Sequence, residues 1–297
     1  MNYIKGTTKV CGIIGNPVAH SISPTLHNTL TALQGIDLVY VPFCVEEERL
    51  GDAIRGAYAM NICGLNVTVP HKSAVLKELK EVDDLAAAIG AVNTLVRVDG
   101  GYKGYNTDII GLKRELEEEG IPLRNQEIII IGAGGAARAI AFLCASEGAK
   151  HIYLLNRTVS RAENIAKAVN ERFGNVVIPM ALEQYADIPG TGLIAIQTTS
   201  VGLYPNVDAA PIEDRAFYDK IAAGVDIIYN PARTKFMKLI LQSRGEGIGG
   251  TCKCAYHGLK MLLYQGISAY ELWNDCIVDQ RTAIAVYEQM KREMNIC

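Results

Sequence analysis

EIIIIGAGGAARAI, residues 127–140, is the stretch on which the fold turns. The isoleucines after Glu127 make the most apolar short run in the chain, and Gly132 ends it. A β-branched run of this length, bounded by glycine, reads as a strand buried on both faces, as in parallel sheets. Gly132, Gly134 and Ala137 then spell G-x-G-x-x-A at the entry to a helix predicted over 134–148, and a further strand, HIYLL, follows at 151–155. Strand, glycine turn, helix and strand form the context of a dinucleotide fingerprint. Gly132 permits the tight turn, Gly134 lets the backbone approach a pyrophosphate, and Ala137 is small enough for the helix to pack on the sheet. Ala133, Gly135 and Ala136 complete the loop, and the helix N-terminus offers its unpaired N–H groups to an anion.

The end of the next strand distinguishes the two nicotinamide dinucleotides. A carboxylate there would accept from a ribose 2′-hydroxyl and repel a 2′-phosphate. The chain instead has Asn156, followed by Arg157, Thr158 and Arg161. Guanidiniums hold phosphate by charge-assisted bidentate bonds, so the cofactor predicted is NADP. The alternative is that Arg157 and Arg161 are solvated charges at a helix start.

Outward from this unit, strand and helix alternate in both directions. Toward the C-terminus come a helix at 158–172 and strands at 175–180, 192–198 and 223–229, then a helical segment from about Ala255 to Cys297 with Leu259, Leu262, Leu263, Tyr270 and Trp273 on one face. Toward the N-terminus, strands are predicted at 9–15, 38–43 and 64–69, the last stopped by Pro70. Between them lie a helix with Ser23 as N-cap and Pro24 at its first position, ending at Gly35, and a second helix over 46–60. A helix opens at Asp108 and ends at Gly120. The alternation predicts an α/β fold with a mostly parallel sheet.

Composition agrees. A length of 297 residues suggests about two domains, and 49% hydrophobic residues suffice to build their cores. A net charge of −3 provides no global field for nucleic acid or an anionic membrane. No apolar run approaches the roughly 20 residues of a membrane helix, and the N-terminus, MNYIKGTTKVCGIIG, does not read as a signal peptide. The eight cysteines (Cys11, Cys44, Cys63, Cys144, Cys252, Cys254, Cys276, Cys297) are scattered. They read as buried small hydrophobes in a reducing cytoplasm, and their spacing gives no zinc site.

Hydride transfer to a ketone leaves an alkoxide that must gain a proton, so a proton-carrying group is needed outside the dinucleotide unit. Two stretches offer one: NVTVPHK places Lys72 just beyond a strand end, and GYNTD places Asp108 at a helix start, where the dipole favours a carboxylate. By themselves they read equally as a surface lysine and a helix cap.

Nine ordered blocks now identify a resemblance: GNPVAHSISPTLHN (15–28), NVTVPHK (66–72), GAVNT (90–94), GYNTD (104–108), GAGGA (132–136), NRTVSR (156–161), TTSVG (198–202), YNPARTK (229–235) and GLKMLLYQ (258–265). In this order, nearly end to end, the chain resembles the shikimate dehydrogenase family. The resemblance implies NADP-linked reduction of 3-dehydroshikimate to shikimate on the route to aromatic amino acids, with Lys72 and Asp108 as the catalytic pair. Ser21 and Ser23 match the residues that hold the substrate carboxylate. Thr68, Asn93 and Gln265 match those contacting ring hydroxyls, and Tyr229 a tyrosine near the carboxylate. Ile227 and Gly258 match positions beside the nicotinamide. Each also has a plain structural reading: N-cap, strand threonine, turn asparagine, helix-surface glutamine, strand-end aromatic, simple packing.

The implied architecture is two α/β domains around a cleft. Residues 1–107 plus 258–297 form the substrate domain, and an inserted Rossmann domain spans 108–257. Partners implied are the small-molecule substrate alone, with no nucleic acid or membrane, in a cytoplasmic monomer or homodimer without metal. Two positions depart from the family's pattern. His257 stands where Asp is common, and His71 precedes Lys72 where an aromatic is common, which suggests that a protonated His71 would make activity pH-sensitive. GYNTD and MLLYQG also resemble the quinate/shikimate dehydrogenase branch, which accepts either acid and uses NAD as well. A catalytically silent dinucleotide-binding regulator is the remaining alternative, against which stand Lys72, Asp108 and both serines.

Overall fold

The computed structural model describes residues 4–296, so Cys297 and the first three residues lie outside the description. By contacts the chain divides into two units, one running to Gly111 and resuming at Leu262, the other spanning Leu112–Met261.

The first unit opens β1 (Lys9–Gly15), α1 (Ser23–Gln34), β2 (Leu38–Cys44), α2 (Leu50–Ala59) and β3 (Gly64–Val67). It continues with β4 (Glu81–Val82), α3 (Asp84–Ile89), β5 (Thr94–Val98) and β6 (Gly101–Tyr105), and α4 (Asp108–Glu118) begins in it. The strands form a six-stranded sheet in the order β2-β1-β3-β5-β6-β4. β1 pairs parallel with β2 and β3, whereas β5 runs antiparallel to both β3 and β6. Only β5 is reversed, so the sheet is mixed but still mostly parallel, as the alternation predicts. The antiparallel part is a hairpin, Thr94–Val98 to Gly101–Tyr105, turned at Gly100 with φ 78°. Its strands are short and half-buried, so no long apolar run marks them. α1 ends at Gly35 in the left-handed conformation, as its sequence implies. Its N-cap, however, is Ile22, and no side chain caps it. Ser23 is already helical, and its amide donates instead to Ser21 Oγ at 3.3 Å.

The second unit holds β7 (Glu127–Ile131), α5 (Gly135–Ser146), β8 (His151–Asn156), α6 (Val159–Phe173), β9 (Val177–Ala181) and β10 (Leu193–Gln197). It continues with α7 (Arg215–Asp219), β11 (Ile221–Asp226), α8 (Lys235–Gln242) and β12 (Cys254–His257). Its strands also form one sheet, β12-β11-β10-β7-β8-β9, parallel throughout. The isoleucines of β7 lie at its centre and are fully buried. Ile129 and Ile131 pack with Tyr153, Leu155, Phe217, Phe236 and Ile240.

The C-terminal segment departs at its start from the reading of a helical stretch from about Ala255. Residues 254–257 are an edge strand, with Ala223 opposite Cys254 and Asp226 opposite His257. Helix follows as α9 (Leu259–Asn274) and α10 (Gln280–Glu293). The break between them contains Asp275 at φ 48°, and Asp279 caps α10 by accepting from the Thr282 amide at 2.7 Å. α9 closes the first unit. Trp273 lies so close to Gly64 that a Cβ there would stand 2.0 Å from its indole nitrogen, and that nitrogen donates to the Leu95 carbonyl at 2.9 Å. The cysteines also depart from expectation. The seven described are free, but only Cys11 and Cys144 are buried. Among the described residues no helix is long and apolar enough to cross a membrane, and no group of three or more His, Cys, Asp or Glu is placed to hold a metal ion.

Candidate active site

In the first unit, three backbone bonds bring distant motifs together. The Val92 amide donates to the Lys72 carbonyl at 2.8 Å, Val67 N–H to the Asn93 carbonyl at 2.9 Å, and Asn93 N–H to the Tyr105 carbonyl at 3.0 Å. NVTVPHK, GAVNT and GYNTD thus meet at one end of the sheet.

Asn93 is the hub of the side chains there. Its Oδ1 accepts the Thr107 amide at 2.7 Å, which leaves Nδ2 to face Asp108. Nδ2 donates to Asp108 Oδ1 at 2.8 Å and to Gln265 Oε1 at 3.4 Å. Lys72 Nζ donates to the other oxygen, Asp108 Oδ2, at 2.7 Å. Asp108 is the first residue of α4, where the helix dipole favours its charge. The two side chains retain 33% and 22% of their surface, so the pair is held in place yet reachable by a small molecule. Gln265 is itself anchored, donating to the Leu262 carbonyl at 2.9 Å, and is buried rather than on a helix surface. Thr68 lies past the end of β3 on the way to Lys72, and its carbonyl accepts the His71 amide at 2.9 Å. Ser21 and Ser23 stand together at the start of α1.

His71 turns away from this chemistry. It is fully buried, with Nε2 on the Val45 carbonyl at 2.7 Å and no hydrogen-bond partner for Nδ1. A carbonyl can only accept, so Nε2 carries the proton and Nδ1 is bare. An imidazolium there would leave a buried N–H unpaired, so the expected pH-sensitising role has no geometric support.

In the second unit Gly132 takes φ 114°, and a Cβ there would stand 2.5 Å from Thr198 Oγ1. That residue is glycine for the protein's own sake. Gly134 and Gly135 are different: neither has a positive φ, and no atom lies within 4 Å of a Cβ at either. Nothing in the protein demands glycine there, whereas a pyrophosphate on the uncapped N-terminus of α5 would. Ala133 and Ala136 complete the loop, and Ala137 is fully buried. The donor set therefore fits a dinucleotide. At the end of β8 Asn156 Nδ2 donates to the Thr158 carbonyl at 2.8 Å, and Thr158 makes no side-chain cap on α6. Arg157 and Arg161 are exposed, and neither has a carboxylate partner among the described residues.

Ile227 and Gly258 are brought into contact. A Cβ on Gly258 would stand 2.3 Å from the Ile227 carbonyl oxygen, so glycine is required for this approach. Tyr229 lies in the loop after β11, and burial raises its phenol above the ordinary range.

Sequence reasoning missed two polar clusters. In the first unit, Asn66, Thr94 and Thr107 lie buried behind Asn93. In the second, fully buried Asp226 accepts from Thr234 Oγ1 at 2.7 Å, the Ile228 amide at 3.0 Å and Gln197 Nε2 at 3.3 Å. Gln197 Nε2 also reaches the Thr199 and Val201 carbonyls at 3.2 and 3.1 Å, so the two side chains tie together the loops after β10 and β11. Burial lifts the Asp226 carboxyl to about 6. The signal available in sequence was a polar residue ending an apolar strand, Gln197 in GLIAIQ and Asp226 in AAGVD.

Comparison with known proteins bears on this geometry. Residues 13–95 match the model of the shikimate dehydrogenase substrate binding domain, and residues 115–188 match that of shikimate / quinate 5-dehydrogenase. The shikimate dehydrogenase (NADP(+)) of Methanocaldococcus jannaschii is 42% identical over 274 residues, 91% of this chain and 93% of that one. A solved shikimate dehydrogenase in complex with NADP+ superposes with a TM-score of 0.87 at 38% identity, over 98% of this chain and 97% of the other. The shikimate 5-dehydrogenase of Listeria monocytogenes, solved with shikimate and NAD, does so with a TM-score of 0.86 at 29% identity, over 99% of both. Identity at this level, over nine-tenths of the length, settles kinship: the chain belongs to the shikimate dehydrogenase family.

Proposed function

We infer that the protein is an NADP-dependent shikimate dehydrogenase, an oxidoreductase that reversibly reduces 3-dehydroshikimate to shikimate. The observation that carries this reading is the Lys72 ammonium on Asp108 Oδ2 at 2.7 Å, with Asn93 holding the other carboxylate oxygen. When bound, NADP supplies the hydride or accepts it. Oxidising the alcohol requires a base at its hydroxyl, and a neutral Lys72 amine accepts that proton. In the reverse direction the Lys72 ammonium returns it to the developing alkoxide. Asp108 binds the same hydroxyl and orients Lys72 toward it.

On this reading residues 1–107 with 258–297 bind substrate, and residues 108–257 bind NADP. Ser21 and Ser23 hold the carboxylate, with Tyr229 near it. Thr68, Asn93 and Gln265 contact the ring hydroxyls. A site built from such anchored donors rejects an analogue lacking a hydroxyl, because its own polar groups are then left unpaired. Gly132 to Ala136 cradle the pyrophosphate, Asn156, Arg157, Thr158 and Arg161 hold the 2′-phosphate, and Ile227 and Gly258 flank the nicotinamide. The free cysteines suit a reducing compartment, and we place the enzyme in the cytoplasm as a monomer or homodimer.

Steady-state kinetics of the purified protein with shikimate and quinate, each with NADP and NAD, test the assignment. The highest kcat/KM is expected for shikimate with NADP. A higher value for quinate with NAD would move the protein to the quinate/shikimate branch.

A further inference from the structure

Behind Asn93, a line of buried polar side chains runs back to the start of the chain. Asn66 Nδ2 donates to Thr94 Oγ1 at 3.1 Å and lies 3.3 Å from the Asn93 carbonyl oxygen. On its other side, Asn66 Oδ1 receives the Tyr40 hydroxyl at 2.7 Å and lies 3.1 Å from His27 Nε2. Thr94 Oγ1 in turn lies 3.2 Å from Asn93 Oδ1 and 2.9 Å from Thr107 Oγ1. Asn66, Asn93, Thr94 and Thr107 are all buried, and so are His27 and Tyr40.

Donor and acceptor rules give this line a single direction. The Asn93 carbonyl only accepts, so the nitrogen of Asn66 must face it and the amide oxygen must face Tyr40 and His27. That oxygen cannot donate, so His27 carries its proton on Nε2. His27 Nδ1 has no partner, as this tautomer requires of a nitrogen facing apolar surroundings. Stacking fixes the ring, with Tyr40 at 4.2 Å and 15° and Trp273 at 5.0 Å. Burial pulls the imidazole down to about 3, so it remains the neutral donor at every working pH.

We propose that His27 and Tyr40 are positioning residues for the acid–base pair, acting through Asn66, Thr94 and Asn93 to fix the donor presented to Asp108. The proposal rests on the functional reading above. Without the two donors the buried Asn66 oxygen is left unpaired and its amide is held from the nitrogen side alone, so the bond that sets the Thr94 hydroxyl loosens. Asn93 then keeps its bond to the Thr107 amide but loses the buttress behind its own amide. The cost falls on orientation at Asp108, a term that enters kcat rather than binding.

The test is kinetic, on the full-length enzyme. Tyr40→Phe is close to isosteric, and His27→Gln preserves an amide donor while His27→Phe removes it. Robust turnover of shikimate with NADP by the unaltered enzyme, measured first, secures the functional reading separately. For the Tyr40→Phe/His27→Phe pair we expect kcat to fall about tenfold, with both KM values changed less than about threefold. His27→Gln should recover most of the loss seen with His27→Phe. On a Thr94→Val background, where the line is already cut, Tyr40→Phe should have little further effect on kcat. Two results would overturn the proposal: unaltered kcat in Tyr40→Phe and in the pair, or an undiminished Tyr40→Phe effect on the Thr94→Val background. If the pair does not fold, Tyr40→Phe alone with and without Thr94→Val decides the matter.

Discussion

Asn93 Nδ2 and Lys72 Nζ take opposite oxygens of the Asp108 carboxylate, at 2.8 and 2.7 Å. The carboxylate is thus clamped between a neutral donor that is buried and a charged donor that is partly open. The buried side fixes its rotation, and the open side does the chemistry. Lys72→Ala removes the base and Asp108→Asn removes its charged orienter. Each should lower kcat by about 10² or more while leaving NADP affinity, read by quenching or calorimetry, within about twofold. Retention of near-normal turnover in Lys72→Ala would overturn the assignment of Lys72 as the base, whereas absence of turnover in the unaltered protein would point to the silent-regulator alternative.

The glycine cradle separates stability from cofactor binding. Gly135 opens α5 with ordinary backbone angles and no atom within 4 Å of a Cβ. Gly135→Ala should therefore leave the melting temperature unchanged or slightly raised. Its KM for NADP should rise about tenfold or more, because the added methyl occupies the space the pyrophosphate needs. A melting temperature that falls with an unaltered KM would refute the cradle.

Arg157 and Arg161 face solvent, with no carboxylate partner among the described residues. Replacing both with alanine should raise KM for NADP about tenfold while KM for NAD stays nearly constant. The difference should shrink with added salt, as exposed charge pairs are screened. Kinetics with both cofactors at two ionic strengths check this.

Glu115, on α4, predicts a pH dependence of stability. It is 1% exposed and neither carboxylate oxygen has a hydrogen-bond partner. Burial, reinforced by the charge of Glu119, raises it to about 8 from an ordinary 4.5. The folded protein therefore favours the protonated acid. Stability from this group is fully present below about pH 4.5 and is lost as pH rises toward 8, a loss on the order of 3–5 kcal/mol. Glu115→Gln should match the parent in urea unfolding at pH 5 and exceed it by a few kcal/mol at pH 8.5. Parallel stability curves for the two proteins would show that Glu115 is not buried as an acid.

How legible each part was depends on the range of the interaction that makes it. β7, the glycine turn and α5 are written locally, in four isoleucines, a fingerprint and a helix start, and the structure has them where they were read. The β5–β6 hairpin and the edge strand Cys254–His257 owe their conformation to partners far along the chain, Leu65 opposite Leu95 and Val225 opposite Tyr256, so no local pattern announces them. At the site, Lys72 and Asp108 were visible as chemistry but not as neighbours, being separated by 36 positions. Asn66 and Thr94 were invisible because a polar residue in a short strand carries no sign of which face it occupies. The reading of Ser23 as a cap failed for a related reason: sequence shows a suitable residue at a helix start, while the helix begins one residue earlier than a Ser23 cap requires, with Ile22 as its N-cap.

The placement of Trp273 has a consequence for biosynthesis. The groove over Gly64, with the Leu95 carbonyl beside it, is formed by the first third of the polypeptide, but its lid is encoded near the other terminus. A ribosome completes the residues of the inserted parallel-sheet unit before the indole is made. The nascent chain therefore carries an unsealed apolar seam through most of translation, while the later-encoded unit is already free to fold. Order of synthesis and order of maturation are thereby reversed.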